Sequence, residues 1–294
     1  MDVIDNVLKY LPYAAAREIG ERCNKHLITD IRIRAGKRIS AVWQGGEMQA
    51  GEILLKEDIS LIVSAMLRHS PYAYEDELRM GYFTLSGGVR AGVSGRFSGG
   101  GMNINDISSV CLRIAREVKG CARKLKESVS ENGCVYSSVI LGPPGSGKTT
   151  IIRDLARLLS DEGRQVAIAD ERGEIAAVKS CVPQMDVGLR TDVSEGGDKA
   201  GAMRRLIRSM APDVIVTDEI GGEDDARAIL EAAQMGVSVI ATAHASSLSG
   251  ALFRRGLADI LSSGVFQRAA VLTKPPGEIR NIHIWTNKEG GRWL

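Results

Sequence analysis

Short apolar segments alternate with amphipathic segments through the second half of this 294-residue chain, and this alternation limits the folds open to it. The apolar segments have the length of buried strands, and the amphipathic segments repeat apolar residues at helical spacing. The pattern predicts an α/β domain with a mainly parallel sheet covered by helices on both faces. In order, the expected strands and helices are residues 135–141, 149–161, 165–170, 199–210, 213–218, 224–235 and 238–244, with a closing hairpin at 269–274 and 280–286.

The first part of the chain has a different pattern, so two domains are expected. Residues 1–125 should form a smaller α+β domain, and residues 126–294 the α/β domain. Within the first domain, a glycine-rich segment at residues 82–103 serves either tight turns and strand bulges or a functional loop. The other elements expected there are an N-terminal amphipathic helix, a hairpin at 27–43, a helix at 57–69 and a strand with a connector at 107–119.

A phosphate-binding loop joins the first strand of the α/β domain to the helix that follows it. Gly142 to Thr149, GPPGSGKT, matches the pattern GxxxxGK[ST] between a strand and a helix. The glycines let backbone N–H groups curl around phosphates, and the helix N-terminus adds partial positive charge. Lys148 is expected to reach the β- and γ-phosphates, and Thr149 to bind Mg²⁺. The residues expected to bind ATP are Gly142, Pro143, Pro144, Gly145, Ser146, Gly147, Lys148, Thr149 and Thr150.

Two carboxylates end the strand at residues 213–218. In P-loop ATPases, an aspartate at a strand end holds Mg²⁺ together with the Ser or Thr of the phosphate loop, and Asp218 fits this role. Glu219, next to it, can polarise a water molecule for attack on the γ-phosphate. This acidic pair favours a hydrolytic ATPase over a small-molecule kinase, because a kinase must exclude water from the same place.

Polar residues also end two other expected strands, at the sheet edge where ligands gather. Asp170 and Glu171 either help to position water or metal, or cap a helix and pair with Arg172. His244 either hydrogen-bonds the γ-phosphate and senses its loss, or has a structural role. The strand at 165–170 is an insertion between the phosphate-loop strand and the Asp218 strand, which is typical of RecA-like ATPases.

Several arginines are candidates for the same site, because an arginine fork donates two parallel hydrogen bonds to phosphate. Arg205 is the candidate for stabilising transition-state charge, and Arg204, Arg208 and Arg190 are further candidates. The alternative for the three on one helix is a solvated basic face. The candidate catalytic residues are therefore Lys148, Glu171, Arg205, Glu219 and His244.

Composition limits the kinds of partner that the chain is expected to bind and the cell compartment in which it is expected to act. A net charge of +2 and an aromatic content of 4% argue against a dedicated nucleic-acid partner. The cysteines are odd in number, at five, and none are at CxxC spacing, which indicates reduced thiols and a cytoplasmic protein. No window approaches the 18 apolar residues of a transmembrane helix, so any membrane role is expected to act through a partner.

Four ordered motifs resemble those of the traffic ATPases of type II and type IV secretion: GPPGSGKTT, ADERGE, VIVTDE and TAHASS. The resemblance covers residues 28–286. The chain lacks the tetracysteine zinc insert of some type II motors, and Asp218 stands where several secretion motors have a small residue. Segments similar to one branch, the stage III sporulation AA family, are IRIRAGKRI, LRIAREVKG, GLRTDV, IRSMAPDVIVTDEIGGEDD and IATAHASS.

This resemblance implies more than the residues themselves establish. It implies a RecA-like P-loop ATPase core behind a smaller α+β domain, hexameric rings, and ATP bound between subunits and domains. In the sporulation branch, the ATPase would act in the cytoplasm of the mother cell, peripheral to the membrane. Its partners would be membrane-embedded proteins of a channel toward the forespore. N-terminal arginines that would reach the nucleotide are Arg90, Arg96, Arg113 and Arg116.

Three functions remain open on the sequence. The first is a Mg²⁺-dependent ATPase motor for a membrane channel. The second is a RecA-like nucleic-acid motor, for which IRIRAGKR and the arginines at 204–208 could contact phosphates. The third is an assembly factor whose ring is held together by ATP and released by slow hydrolysis.

Overall fold

The computed structural model describes residues 3–70, 74–98, 103–254, 256–286 and 291–294. The chain divides into two compact units. The first comprises Met1–Arg116 and Lys179–Gln184, and the second comprises Glu117–Val178 and Met185–Leu294. The division therefore falls before residue 125, and a short segment of the second half belongs to the first unit.

The first unit is a sheet with helices packed on its apolar face. Its main sheet is antiparallel, with the strand order β3-β2-β1-β6-β5-β4. The elements are α1 (Val3–Leu8), α2 (Tyr13–Arg22), β1 (Ile28–Arg34), β2 (Ile39–Trp43), β3 (Gly46–Ala50), α3 (Lys56–Met66), α4 (Glu75–Arg79), β4 (Tyr82–Leu85), β5 (Val89–Ser98) and β6 (Asn103–Arg113).

The sequence pattern explains this first sheet. Alternation along β1 buries Ile31 and Ile33 and leaves polar residues on the other face, as in a sheet covered on one side. The glycine-rich segment contains β4 and β5, and on β5 a Cβ on Gly95 would lie only 1.8 Å from the Asp106 carbonyl oxygen. Close strand approach thus accounts for that glycine. Residues 99–102 of the segment lie outside the described residues.

The second unit carries the alternating pattern. Its elements, together with the short strands β11 and β12, are α5 (Arg123–Val129), β7 (Ser130–Glu131), β8 (Cys134–Val135), β9 (Ser138–Gly142), α6 (Lys148–Asp161), β10 (Val166–Asp170), β11 (Val178–Lys179), β12 (Val182–Pro183), β13 (Thr191–Glu195), α7 (Lys199–Met210), β14 (Val214–Thr217), α8 (Glu223–Gln234), β15 (Ser238–His244), α9 (Leu248–Leu252), α10 (Leu257–Ser262), β16 (Arg268–Thr273), β17 (Glu278–Thr286) and β18 (Arg292–Trp293).

The main sheet of the second unit is mixed. Its described strands run in the order β13-β10-β14-β15-β9-β16-β17-β18. The strands from β13 to β16 pair in parallel, and β17 and β18 continue the sheet antiparallel. Helices α5 and α6 pack on one face, and α7 to α10 pack on the other. The α/β class expected from the alternation is confirmed.

This topology brings the motif-bearing strand ends to one edge. The carboxyl ends of β9, β15, β14 and β10 follow one another along the sheet. In space, β15 lies between β9 and β14, whereas in the sequence β10 lies between them. His244 is therefore paired in register with Gly142 at the start of the phosphate loop.

Several elements of this unit have no counterpart in the sequence analysis, among them α5, β13, α9 and α10. Strand β13 is a short, half-exposed edge strand with the sequence TDVSE, which lacks the apolar run of a central strand. Helices α9 and α10 have five and six residues, too few for a 3.6-residue period to show. Within the described part of the chain, no helix combines the length and the apolar character that a membrane span requires.

Candidate nucleotide site

The phosphate loop turns sharply between β9 and α6. Gly145 has φ 73° and Gly147 has φ 88°, a left-handed conformation that glycine adopts without strain. Gly147 also contacts the turn between β16 and β17, where a Cβ would lie 2.9 Å from the Gly277 nitrogen. The Gly277 N–H donates to the Ser146 carbonyl oxygen at 2.9 Å. The C-terminal hairpin thus supports the loop from one side.

Lys148, the first residue of α6, is buried beneath this loop. Its ammonium group donates to the carbonyl oxygens of Gly142 and Pro143, at 2.9 and 3.1 Å, and contacts His244 Nδ1 at 3.0 Å. Burial lowers the pKa of Lys148, while the charge of Glu219 opposes that shift. The loop lysine is therefore held ready inside the loop by weak acceptors that a phosphate can replace.

His244 connects the lysine to Glu219. The Lys148 ammonium group can only donate, so His244 Nδ1 accepts and the ring proton lies on Nε2. His244 Nε2 then donates to Glu219 Oε1 at 2.7 Å. The other carboxylate oxygen, Oε2, accepts from Arg172 at 2.6 Å. Burial raises the pKa of Glu219, but the hydrogen bond from His244 and the charge of Arg172 outweigh it, and the net pKa is lowered.

The backbone at Glu219 is strained, with φ 35° for a residue that carries a Cβ. Such a conformation costs about 1–3 kcal/mol and persists only where neighbours enforce it. Here the Glu219 N–H donates to Thr242 Oγ1 at 2.9 Å, and its carbonyl oxygen accepts from Lys199 Nζ at 3.1 Å. These two bonds aim the carboxylate toward His244 and the phosphate loop.

Asp218 is 2% exposed, and neither of its carboxylate oxygens accepts a hydrogen bond from the described residues. Burial raises its pKa to about 7, although the charge of Lys199, 3.8 Å from Oδ1, opposes the shift. A buried carboxylate without donors is the expected state of a group whose partner is a metal ion. Asp218 therefore fits Mg²⁺, and Thr149 follows Lys148 in the first turn of α6.

Over the described residues, no group of three or more His, Cys, Asp or Glu is arranged to hold a metal ion. Mg²⁺ commonly binds through one or two protein carboxylates and completes its shell with substrate phosphates and water.

Lys199 is a site residue that the sequence analysis missed. It is the first residue of α7 and is 6% exposed. Besides its contacts with the Glu219 carbonyl and Asp218, its ammonium group lies 3.4 Å from Glu171 Oε2. The signal available was its place directly after the helix-capping Asp198, which accepts from the Gly201 N–H. That signal locates a helix start and says nothing of what the lysine contacts.

The two acidic residues at the end of β10 differ in burial and in the groups that they contact. Asp170 is fully buried and accepts the N–H groups of Glu174, Ile175 and Ala176 at 2.8 to 3.0 Å. It caps the following loop, whereas the structural alternative expected a helix there. Glu171 is exposed beside Lys199. Arg172, the partner expected for these acids in the structural alternative, pairs with Glu219.

The helix arginines lie away from this network. Arg205 is exposed on α7, with no hydrogen bond or ion pair to the phosphate loop among the described residues. Arg204 pairs with Glu231 of α8 at 2.7 Å, and Arg208 and Arg190 are exposed. In one copy of the chain, Arg205 is therefore not part of the site, because α7 carries it along the outer face.

The N-terminal arginines are placed within the first unit. Arg116 donates to the backbone carbonyl of Ile28 at 2.5 Å. Arg90 lies over the Tyr82 ring, 3.7 Å from its centre, and is paired in register with Arg113 across β5 and β6. Arg96 is paired in register with Asp106 on the same strands. Arg116 thus has an evident structural task in tying β1 to the end of this unit.

Known proteins share this fold. The structure of the ATPase DotB of Legionella pneumophila matches this chain with a TM-score of 0.58 at 18% identity. The match covers 91% of this chain and 75% of the DotB chain. The pilus retraction motor PilT with bound ADP has a TM-score of 0.59 at 18% identity, with 100% and 83% covered. The chain therefore has the α/β fold found in the ATPase DotB and the pilus motor PilT.

Sequence comparison is more specific. The family model for sporulation stage III protein AA matches residues 5–292. Stage III sporulation protein AA of Bacillus subtilis strain 168 is 38% identical over 266 residues, which make up 87% of this chain and 86% of that protein. The chain belongs to the sporulation stage III protein AA family, as the motifs predicted.

Proposed function

We propose that the chain is a Mg²⁺-dependent ATPase that powers or assembles a channel between mother cell and forespore. The observation that carries the proposal is the hydrogen-bonded series Lys148–His244–Glu219, which joins the phosphate loop to a carboxylate beside a buried, donor-free Asp218. The strand order β16-β9-β15-β14-β10 also supports a RecA-like core. Family membership supports the sporulation role.

The site residues divide the work of hydrolysis. Backbone N–H groups of the loop and Lys148 hold the β- and γ-phosphates. Glu219 takes a proton from water as the water oxygen bonds to the γ-phosphorus and the bond to the β-phosphate oxygen breaks, giving ADP and phosphate. His244 orients Glu219 through the bond from Nε2 to Oε1. Lys199 holds the Glu219 backbone in its strained conformation.

Asp218 and Thr149 are the residues that would hold Mg²⁺. When bound, the metal ion supplies neutralisation of the negative charge on the phosphates. Among the described residues, no group donates a hydrogen bond to Asp218. The chain therefore leaves both carboxylate oxygens of Asp218 available to a cation.

The test compares Lys148→Gln with the matched control Lys124→Gln, an exposed lysine of α5. We expect phosphate release from Mg-ATP to fall about 10²-fold or more in Lys148→Gln, since one preorganised donor to developing charge contributes on this order. Lys124→Gln should match the wild type. Equal phosphate release by the wild type and Lys148→Gln would contradict the assignment of the site.

A further inference from the structure

Both carboxylate oxygens of Glu219 are occupied in the structure. His244 Nε2 donates to Oε1 at 2.7 Å, and Arg172 donates to Oε2 at 2.6 Å. A carboxylate in this state has no oxygen directed at a water molecule with its full basicity, because each is engaged by a donor. Each oxygen keeps a second lone pair, but loss of one donor makes that oxygen the stronger base and opens its approach to water.

The two donors differ in how easily they can leave. His244 is held by its backbone, because it lies on strand β15 in register with Gly142, and its side chain is 37% exposed. Arg172 belongs to the loop after β10, and its side chain is 53% exposed. The neighbouring Gly173 has φ 63°, so the loop passes through a conformation suited to glycine. Arg172 is the donor that can change partners at small cost.

Resting on the proposed ATPase function, we infer that Arg172 is a γ-phosphate-selective residue that exchanges Glu219 for the terminal phosphate of ATP. Without a triphosphate, Arg172 pairs with Glu219 and occupies Oε2. With ATP in the loop, the guanidinium fork moves to the γ-phosphate oxygens, which accept two parallel hydrogen bonds. Oε2 is then free to accept a proton from water. ADP lacks the phosphate that draws Arg172 away.

Binding measurements on a double-mutant cycle test this exchange. The full chain is prepared as wild type, Arg172→Gln, Glu219→Gln and the double variant, and each is titrated by calorimetry with Mg-ADP and with Mg-AMP-PNP, a triphosphate analogue that is not hydrolysed. Arg227→Gln serves as the matched control, because Arg227 is an exposed arginine of α8 paired with Asp224. It should change neither affinity.

The sign of the coupling separates exchange from a fixed ion pair. If Arg172 moves, Glu219→Gln releases it, and the gain in AMP-PNP affinity should be about tenfold larger with Arg172 present than with Gln at that position, since a charge-assisted hydrogen bond contributes on this order. ADP should show no such coupling. If Arg172 stays on Glu219, it shields that charge, so the gain should be smaller with Arg172 present.

A gain that is equal or smaller in the presence of Arg172 therefore overturns the inference. Arg172→Lys provides a second test, because lysine keeps the positive charge and lacks the guanidinium fork. The gain in AMP-PNP affinity on Glu219→Gln should then lie between the gains measured with Arg and with Gln at position 172. Thermal unfolding of each variant shows that the chain is folded. If the wild type binds neither nucleotide, the proposed function itself fails. If it binds both and the coupling is absent, only the role of Arg172 fails.

Discussion

The side chains around the phosphate loop show which residues a sequence can and cannot identify. Lys148 is set by motif spacing, and Glu219 and His244 follow buried strands, so their meeting at one edge could be predicted. Lys199 and Arg172 could not, because one begins a helix and the other lies in a loop, positions where a cation usually faces water. Lys199 is buried because α7 packs against the sheet, on β10, β13 and β14.

Asp218 offers a test of how function opposes stability at a single residue. Burial raises its pKa from 3.8 to about 7 in the folded chain, so the chain loses stability as pH rises between these values, and the full penalty of the ionised carboxylate is present above pH 7. Asp218→Asn keeps the size and removes the charge. Without nucleotide and metal at pH 8, we expect the free energy of unfolding to rise by about 1 kcal/mol or more, measured by denaturant titration.

The control for that substitution is Asp224→Asn, a 76% exposed residue of α8 that should change stability little. In Asp218→Asn, added Mg-ATP should no longer raise the unfolding temperature as it does in the wild type. A loss of stability in Asp218→Asn without ligands would mean that Asp218 is a structural residue.

Among the helices and strands, long periodic segments were predicted and short ones were not. Strand β10, strand β15 and helix α7 lie where their apolar patterns place them. Strand β13 pairs in parallel with β10 at the edge of the sheet, and its own residues carry little apolar signal. The contact between the phosphate loop and the β16–β17 turn joins segments far apart in the sequence, so no local sequence pattern predicts it.

Two glycine substitutions measure that contact. Gly145→Ala and Gly147→Ala both force a residue with a Cβ into the left-handed region, which costs about 1–2 kcal/mol. A Cβ at Gly145 meets nothing within 4 Å, whereas one at Gly147 meets the Gly277 nitrogen at 2.9 Å. We expect Gly147→Ala to lower the free energy of unfolding more than Gly145→Ala, as followed by denaturant titration. Equal losses would show that the turn yields freely.

At the scale of the whole molecule, the complete ATPase site is a proposal. The chain supplies a loop lysine, a base and a metal carboxylate, while Arg205 stays outside the network formed by the described residues. The family resemblance implies rings in which neighbours complete the site. Neither composition nor strand order contains that information, because both describe one chain.

Activity at different protein concentrations tests whether copies complete each other. If neighbouring copies contribute to the site, ATPase activity per chain should rise steeply with concentration and then level off. Phosphate release measured alongside light-scattering mass, with and without Mg-ATP, follows both quantities. Constant activity per chain for a protein that stays monomeric would indicate a site complete in one copy.

The most direct measurement is a comparison of ATP binding and ATP hydrolysis in Glu219→Gln. The control is Glu223→Gln, which alters an exposed glutamate at the start of α8. If Glu219 is the general base, Mg-ATP binding persists while phosphate release falls about 10²–10⁴-fold, and Glu223→Gln matches the wild type. Turnover by Glu219→Gln close to that of the wild type would contradict the proposed ATPase site.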